Sequence, residues 1–205
     1  GEDEQADTVL KEAESQYRSL QDESGAAGCL VERGLAIKRQ GHINGAEQQF
    51  RDALGIYRNH PDVEREAKCL FELGMVLHRQ GDPETGHEHV NRALDKYRET
   101  GSRSSEARCL NGLGTIATHQ GQLDDAEEYF STSIEIAREI GNQRSAANTL
   151  VNLSNVLKAR GDYEQSNEYL HEALPVFQEI GDEKGEAAAY HNLGRNAEEC
   201  DELDD

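Results

Sequence analysis

The chain has 205 residues, of which 41 are Asp or Glu and 21 are Lys or Arg, so its formal net charge is −20. A surface this negative repels phosphate backbones and anionic lipid headgroups, so we expect neither nucleic-acid binding nor membrane binding. No apolar stretch approaches the roughly 18 residues that a membrane-spanning helix needs, and there is no signal-peptide pattern.

The sequence repeats with a period of forty residues. Glycine recurs in one column, and leucine recurs in another that holds Leu73, Leu113, Leu153 and Leu193. Within each period the apolar and small residues step by three and four positions, which indicates amphipathic helices. Each period therefore contains one helix of a type that we call B and one of a type that we call A. In chain order we predict helices at about 4–19 (B), 24–39 (A), 43–59 (B), 63–79 (A), 83–99 (B), 103–119 (A), 123–139 (B), 143–159 (A), 163–179 (B) and 183–199 (A).

Turn residues mark the predicted helix ends. The A helices end in Gln-Gly or Arg-Gly, and a glycine also follows three B helices. Glycine readily adopts the left-handed conformation that ends many helices, so these glycines predict helix C-termini. These glycines are Gly41, Gly81, Gly121 and Gly161 after A helices, and Gly101, Gly141 and Gly181 after B helices. Asp82 and Asp162 are predicted N-caps, and Pro83 occupies a first helical turn, where its missing N–H costs nothing. Pro175 lies inside a predicted B helix, and we expect it to bend or loosen that helix.

These helix pairs resemble the tetratricopeptide repeat (TPR) family. The family pattern has a large residue followed by Leu-Gly in helix A, and Ala, an aromatic residue and Ala in helix B. One unit of this chain reads Leu110, Leu113-Gly114, Ala117, Ala126, Phe130 and Ser133. The common TPR unit has about 34 residues, so forty-residue units are similar to the long-helix repeats of the Pins/LGN scaffold group and of kinesin light chain. The resemblance implies an all-α, right-handed superhelical solenoid of antiparallel helix pairs.

The repeat register predicts a single array over residues 1–205. Its units are about 1–40, 41–80, 81–120, 121–160 and 161–200. The chain starts on a B helix and stops on an A helix, and neither end has the polar cap that closes most solenoids. We therefore expect the sequence to be a piece of a longer array or of a larger protein.

The sequence offers no motif for catalysis, for a cofactor or for a metal. It contains no phosphate-binding loop or dinucleotide fingerprint, and no carboxylate pair stands out, so we expect no enzyme activity. His87 and His89 lie two residues apart and point to different sides of a helix, so we expect no zinc site there. Cys29, Cys69 and Cys109 share one column and are predicted to be buried packing residues. Together with Cys200 they are expected to be free thiols in a reducing, cytoplasmic compartment.

Stacked helix pairs of this kind curve, and the A helices are expected to line the inner wall of a groove. The leucine and glycine columns of each A helix face the core, so the columns beside them are predicted to face the groove. In its first part Phe71 and Met75, joined by Val31 and Leu35, are predicted to expose apolar surface. The alternative for Phe71 and Met75 is contact with a neighbouring helix instead of a ligand.

The later part of the predicted groove is rich in asparagine and basic residues, which contrasts with the acidic chain. An Asn side chain offers a donor and an acceptor, so it can hold a peptide backbone, and Arg can bind a carboxylate through two N–H groups. The TPR resemblance implies the same use, since that family holds peptides with Asn and basic residues at these columns. The predicted peptide-binding residues are Arg108, Asn111, Asn148, Asn152, Asn155, Lys158, Asn192 and Arg195, together with Phe71 and Met75.

These predictions have simpler alternatives. The Asn residues can be solvated polar groups without a ligand. The cations near the ends of A helices are favoured there by the helix dipole, whether or not they bind anything. That group consists of Lys38, Arg39, Arg79, His119 and Lys158.

The sequence therefore predicts a non-catalytic scaffold that binds a peptide or helical segment of a protein partner in its groove. The alternative is a sensor or regulatory arm of a larger multidomain signalling ATPase or transcription regulator. A third function is self-association through the uncapped ends. The excess of acid, with 15 Arg against 6 Lys, favours a protein from a high-salt cytosol over an ordinary acidic domain.

Overall fold

The computed structural model describes residues 2–204, and side chains from residue 5 to residue 200. Over that range it contains ten α-helices and no strand. Four helices (α4, α6, α7 and α8) match their predicted bounds to the residue, whereas α3 ends two residues early and α10 continues to Asp204. The helices are α1 (Glu2–Ser19), α2 (Glu23–Arg39), α3 (Ile43–Tyr57), α4 (Val63–Arg79), α5 (Pro83–Thr100), α6 (Arg103–His119), α7 (Leu123–Glu139), α8 (Gln143–Ala159), α9 (Tyr163–Ile180) and α10 (Glu183–Asp204).

The chain divides into two compact units, Gly1–Gly101 with α1–α5 and Ser102–Asp205 with α6–α10. Odd-numbered helices are the predicted B helices and even-numbered helices are the A helices. Within each unit every helix packs against the next one along the chain, and A helices also contact each other: α2 with α4, α6 with α8, and α8 with α10. The fold class is therefore all-α and built from antiparallel helix pairs, as predicted.

The helix ends confirm the predicted turn chemistry. The seven glycines predicted to end helices all have positive φ angles, between 67° and 90°. Asp82 accepts the Thr85 N–H and Asp162 accepts the Gln165 N–H, each at 3.1 Å, so both are N-caps. Pro83 occupies the first turn of α5, and α9 continues through Pro175 to Ile180.

The core of each unit fills the space between A and B helices, along the predicted columns. In the first unit it includes Phe50, Tyr57 and Leu73, and in the second it includes Phe130, Leu153, Leu170 and Phe177. A second apolar column, which holds Leu70, Leu110 and Leu150, ends at Tyr190, and the side chain of Tyr190 is 52% exposed. Tyr190 lies on α10, and no later helix of the described chain packs on that face.

Small residues let the helices of a pair cross closely. A Cβ added to Gly74 of α4 would lie 2.7 Å from the carbonyl oxygen of Gly86 of α5, and the reciprocal distance is also 2.7 Å. At the matching crossing of α8 and α9, the Ser166 hydroxyl donates to the Ser154 carbonyl at 2.9 Å. The crossing of α4 and α5 is therefore a direct contact of two backbones.

The cysteines confirm the prediction of free thiols in a packing column. Cys29, Cys69 and Cys109 are buried, Cys200 is half-buried, and none forms a disulfide. The Cys69 thiol donates to the Phe50 carbonyl oxygen at 3.2 Å. Burial raises the pKa of the Cys69 and Cys29 thiols above the ordinary value. These two side chains are therefore protonated packing groups at neutral pH.

Candidate peptide-binding surface

Phe71 is not the exposed residue that the sequence predicted. Its side chain is 8% exposed, and that of Val31, in the same column of α2, is 3% exposed. Val31 packs in the apolar cluster that includes Leu73 and Leu77 of α4. Val31 is therefore covered by residues of the next A helix, and neither Val31 nor Phe71 exposes the apolar surface that the sequence predicted. Met75 is half-buried, and it retains part of the predicted apolar surface.

Charged residues of α2 and α4 pair with each other in the first unit. Lys68 Nζ lies 2.6 Å from Glu32 Oε1, and Lys38 forms an ion pair with the buried carboxylate of Glu72. The sequence left Lys38 open between a helix-end cation and a ligand contact. The structure shows instead that its ammonium group links two adjacent A helices.

Two hydrogen bonds between asparagine side chains link the A helices of the second unit. Asn152 Nδ2 of α8 donates to Asn111 Oδ1 of α6 at 3.1 Å. Asn192 Nδ2 of α10 donates to Asn155 Oδ1 of α8 at 3.0 Å. We call these the asparagine bridges. All four residues are half-buried, so the bridges lie at the contact between neighbouring A helices and remain partly accessible to solvent.

Further hydrogen bonds orient the bridges. Asn111 Nδ2 donates to the Thr149 hydroxyl at 2.7 Å, and Asn155 Nδ2 donates to the Val151 carbonyl oxygen at 3.1 Å. Thr149 is fully buried, and the sequence analysis did not single it out. The signal was present, because Thr149 occupies the column that holds cysteine in the three preceding repeats.

The bridges leave hydrogen-bonding capacity for a ligand. A side-chain amide has two N–H donors and an oxygen with two lone pairs. The side-chain oxygens of Asn152 and Asn192 accept no hydrogen bond from any described residue, and each Nδ2 group uses only one of its N–H groups in its bridge. Donors and acceptors thus remain side by side on this face.

A cavity of about 450 Å³ opens between α8 and α10 beside the first bridge. Ligand sites in proteins commonly have volumes of about 300–1,000 Å³, so this space can admit one or two side chains of a peptide. Gly185 and Ala188 of α10 line it, and the Phe177 ring packs directly against Gly185, where an added Cβ would lie 2.4 Å from the ring. The other residues that line the cavity are Asn148, Val151, Asn152, Phe177, Asp182 and Lys184.

The basic residues of the predicted site are accessible to different degrees. Arg108 and Arg195 are exposed, and Lys158 is half-buried in the last turn of α8. Neither Lys158 nor Arg195 forms an ion pair with a described residue. Asp182, in the cavity wall, forms an ion pair with Arg144, with 3.0 Å between Arg144 Nη1 and Asp182 Oδ2. Lys158 and Arg195 therefore carry positive charges that no described carboxylate pairs with.

Two other kinds of site, a metal centre and a membrane-spanning helix, are not found among the described residues. Between the first and last described side chains, no three or more His, Cys, Asp or Glu residues converge as metal ligands. His89 Nδ1 donates to the Thr85 carbonyl oxygen at 2.8 Å, whereas His87 contacts Asn91. No described helix is both long and apolar enough to cross a bilayer.

Comparison with solved structures shows the fold. BtubC (BKLC) from P. vanneervenii is 17% identical with a TM-score of 0.80, over 97% of this chain and 84% of that one. Kinesin light chain TPR-like repeats from Podosopora anserina are 16% identical with a TM-score of 0.69, over 90% and 86%. The Rap conjugation gene regulator of plasmid pLS20, in complex with a peptide, is 17% identical with a TM-score of 0.67, over 90% and 56%. The chain thus spans little more than half the length of that regulator.

Comparison at the sequence level identifies the family. No curated protein sequence matches this chain significantly. A family model of the tetratricopeptide repeat, however, matches residues 65–139 and 145–203, which is more than half of the chain. The forty-residue period, the helix pairs and this match agree, and the chain belongs to the tetratricopeptide repeat family.

Proposed function

We propose that this chain is a non-catalytic scaffold that binds an extended peptide segment of a partner protein along the A-helix face of its second unit. The observation that carries the proposal is the pair of asparagine bridges, which present unused amide groups, and the first bridge borders an open cavity. The TPR fold supports a protein-interaction role, and the similar Rap regulator was solved with a bound peptide.

A peptide backbone matches this face chemically. An extended backbone presents N–H and C=O groups in alternation, and the bridges present acceptors and donors that can pair with both. Because each amide is already held by its bridge, little side-chain entropy is lost on binding. Each polar contact contributes about 0.5–1.5 kcal/mol net. Lys158, Lys184 and Arg195 favour a segment that also carries carboxylates.

The test uses a partner captured from cell extract at high salt, purified, and measured against variants by calorimetry. Replacing Asn152, Asn155, Asn192 and Arg195 together by Ala should weaken binding at least tenfold, which is about 1.4 kcal/mol. Loss of the bridges should also cost some folding free energy, since each is one net hydrogen bond of about 0.5–1.5 kcal/mol. Circular dichroism therefore accompanies each titration, at a temperature where every variant is fully folded.

The control changes charge on the B helices. Glu168 of α9 is exposed, and Glu168→Gln should leave the affinity within twofold of the parent. A second control is Glu127→Gln on α7, which removes a partner of Arg160 without touching the A-helix face. If the folded quadruple variant binds as tightly as the parent, the asparagine face is not the binding site.

The alternative function is a sensor or regulatory arm of a larger protein. The same peptide-binding face would then control a neighbouring domain. The full-length gene decides between the two, because an ATPase or a DNA-binding domain encoded next to these repeats would establish the regulatory arm. A gene that encodes only further repeats would favour the scaffold.

A further inference from the structure

A second cavity, of about 250 Å³, lies in the first unit among α3, α4 and α5. None of its lining residues belongs to the proposed peptide-binding face. Its polar lining is mostly basic, in a chain where acidic residues outnumber basic ones two to one. The basic side chains around it are Arg51, Arg58, Arg92 and His89.

Two of these arginines have no carboxylate partner. Arg58 and Arg92 form no ion pair with any described residue, although most arginines of this acidic chain do. Glu66, the carboxylate in the cavity lining, forms an ion pair with Lys96, with 2.9 Å between Lys96 Nζ and Glu66 Oε2. Arg51 is paired with Glu47 at 2.7 Å. Arg58 and Arg92 are therefore available to pair with an anion that is not part of the described chain.

In the second unit, the residues that correspond to Arg58 and Arg92 carry opposite charges and form an ion pair. Eighty residues later, in the same columns of the repeat, Arg138 corresponds to Arg58 and Glu172 corresponds to Arg92. Arg138 and Glu172 form an ion pair. Side chains at this pair of positions can therefore meet, and in the first unit both are arginines, which repel each other unless an anion lies between them.

The space beside the two arginines is open. A Cβ added to Gly55 would meet no atom within 4 Å, and the corresponding residue of the second unit is the acidic Glu135. His89 uses Nδ1 to donate to the Thr85 carbonyl oxygen, which leaves Nε2 for another contact. An anion here meets two guanidinium groups and an imidazole, and it displaces no carboxylate.

We propose that this cavity binds a phosphate group held between Arg58 and Arg92. Guanidinium groups match phosphate oxygens with two parallel N–H···O bonds. A phosphate ester carries a charge of about −1.5 to −2 at neutral pH, which neutralises both arginines, whereas a single carboxylate leaves one positive charge over. The net charge of −20 repels a long polyanion, so the ligand is an isolated phosphate and not a nucleic acid. Its source is either free phosphate or a phosphoserine of a polypeptide.

The test is a nuclear magnetic resonance titration of the ¹⁵N-labelled chain at constant ionic strength and pH. The probes are inorganic phosphate, N-acetyl-phosphoserine amide and acetate. We expect saturable shifts of the Gly55 and Arg92 amide signals with at least one of the phosphate probes and much weaker effects of acetate. Saturation by inorganic phosphate alone indicates free phosphate as the source, and tighter binding of the phosphoserine probe indicates a phosphorylated polypeptide.

The variants are chosen so that the fold is retained. Arg92→Glu recreates the ion pair that the second unit has between Arg138 and Glu172, and it should weaken phosphate binding at least tenfold. Arg58→Gln should do the same without adding an acid. The matched control is Arg138→Gln, which removes the arginine of the same column in the second unit and should leave the affinity unchanged. The proposal is overturned if neither phosphate probe saturates, if acetate binds as tightly, or if both cavity variants bind like the parent.

Discussion

The close crossing of α4 and α5 predicts that a single methyl group at Gly74 destabilises the first unit. An added Cβ would lie 2.7 Å from the Gly86 carbonyl oxygen, 2.7 Å from Val90 Cγ2 and 3.1 Å from the Val90 nitrogen. Two of these three atoms belong to the backbone of α5, which cannot rotate away as a side chain can. The helices would have to move apart by several tenths of an ångström, which would loosen the contacts on both sides of the crossing.

Two opposing effects determine the magnitude. Overpacking of this kind typically costs about 1–3 kcal/mol, whereas Ala in place of Gly inside a helix gains about 1 kcal/mol. Gly55→Ala in α3 has the same gain without the clash, because an added Cβ there meets nothing within 4 Å. The difference in unfolding free energy between Gly74→Ala and Gly55→Ala therefore isolates the steric cost, and we expect about 1–3 kcal/mol.

The assay is urea unfolding of the parent and both variants, followed by far-ultraviolet circular dichroism. Hydrogen exchange of the α4 and α5 amides locates the effect, since contacts in a repeat protein are between nearest neighbours. Gly55→Ala should be at least as stable as the parent, and Gly74→Ala should be the less stable of the two variants, with faster exchange in α4 and α5. Equal stability of the two variants would refute the close backbone crossing.

Two further predictions concern the core and the surface charge. Leu113 and Leu153 are buried in the leucine column, so truncating either to Ala should lower the unfolding free energy by about 2–5 kcal/mol; a urea-measured loss below about half a kcal/mol would contradict the assigned register. The net charge of −20 should make the thermal unfolding midpoint rise from dilute buffer to molar KCl. At molar salt the screening length falls to about 3 Å, which weakens the repulsion between acidic side chains. A flat or falling midpoint would remove the case for salt adaptation.

The helices could be located from the sequence because their signals are local. Apolar residues at steps of three and four positions define the buried face of each helix, and glycine or a capping aspartate marks many of the helix ends. Seven predicted turn glycines adopt positive φ angles, and Asp82 and Asp162 cap their helices. The same column logic correctly placed Cys29, Cys69 and Cys109 in the core. None of these features depends on the distance between helices.

The candidate site was only partly accessible to the same reasoning. The sequence grouped Asn111, Asn152, Asn155 and Asn192 on the A helices, and their role in peptide binding stays a prediction. It did not show that these four residues hydrogen-bond to one another, or that Phe71 is covered. Both facts depend on how the helices pack against one another, which the helical pattern of a sequence does not state.

Composition alone determined the acidic surface, and the repeat period determined which residues share a column. The tertiary structure decided which columns meet across helices. It paired Lys38 with Glu72 and Arg138 with Glu172, and it left Arg58 and Arg92 without an ion pair to any described carboxylate. These partners lie in different helices, more than thirty residues apart in the chain. Whether their side chains touch is set by the spacing and offset of packed helices, and small residues such as Gly74 and Gly86 control that spacing where helices cross.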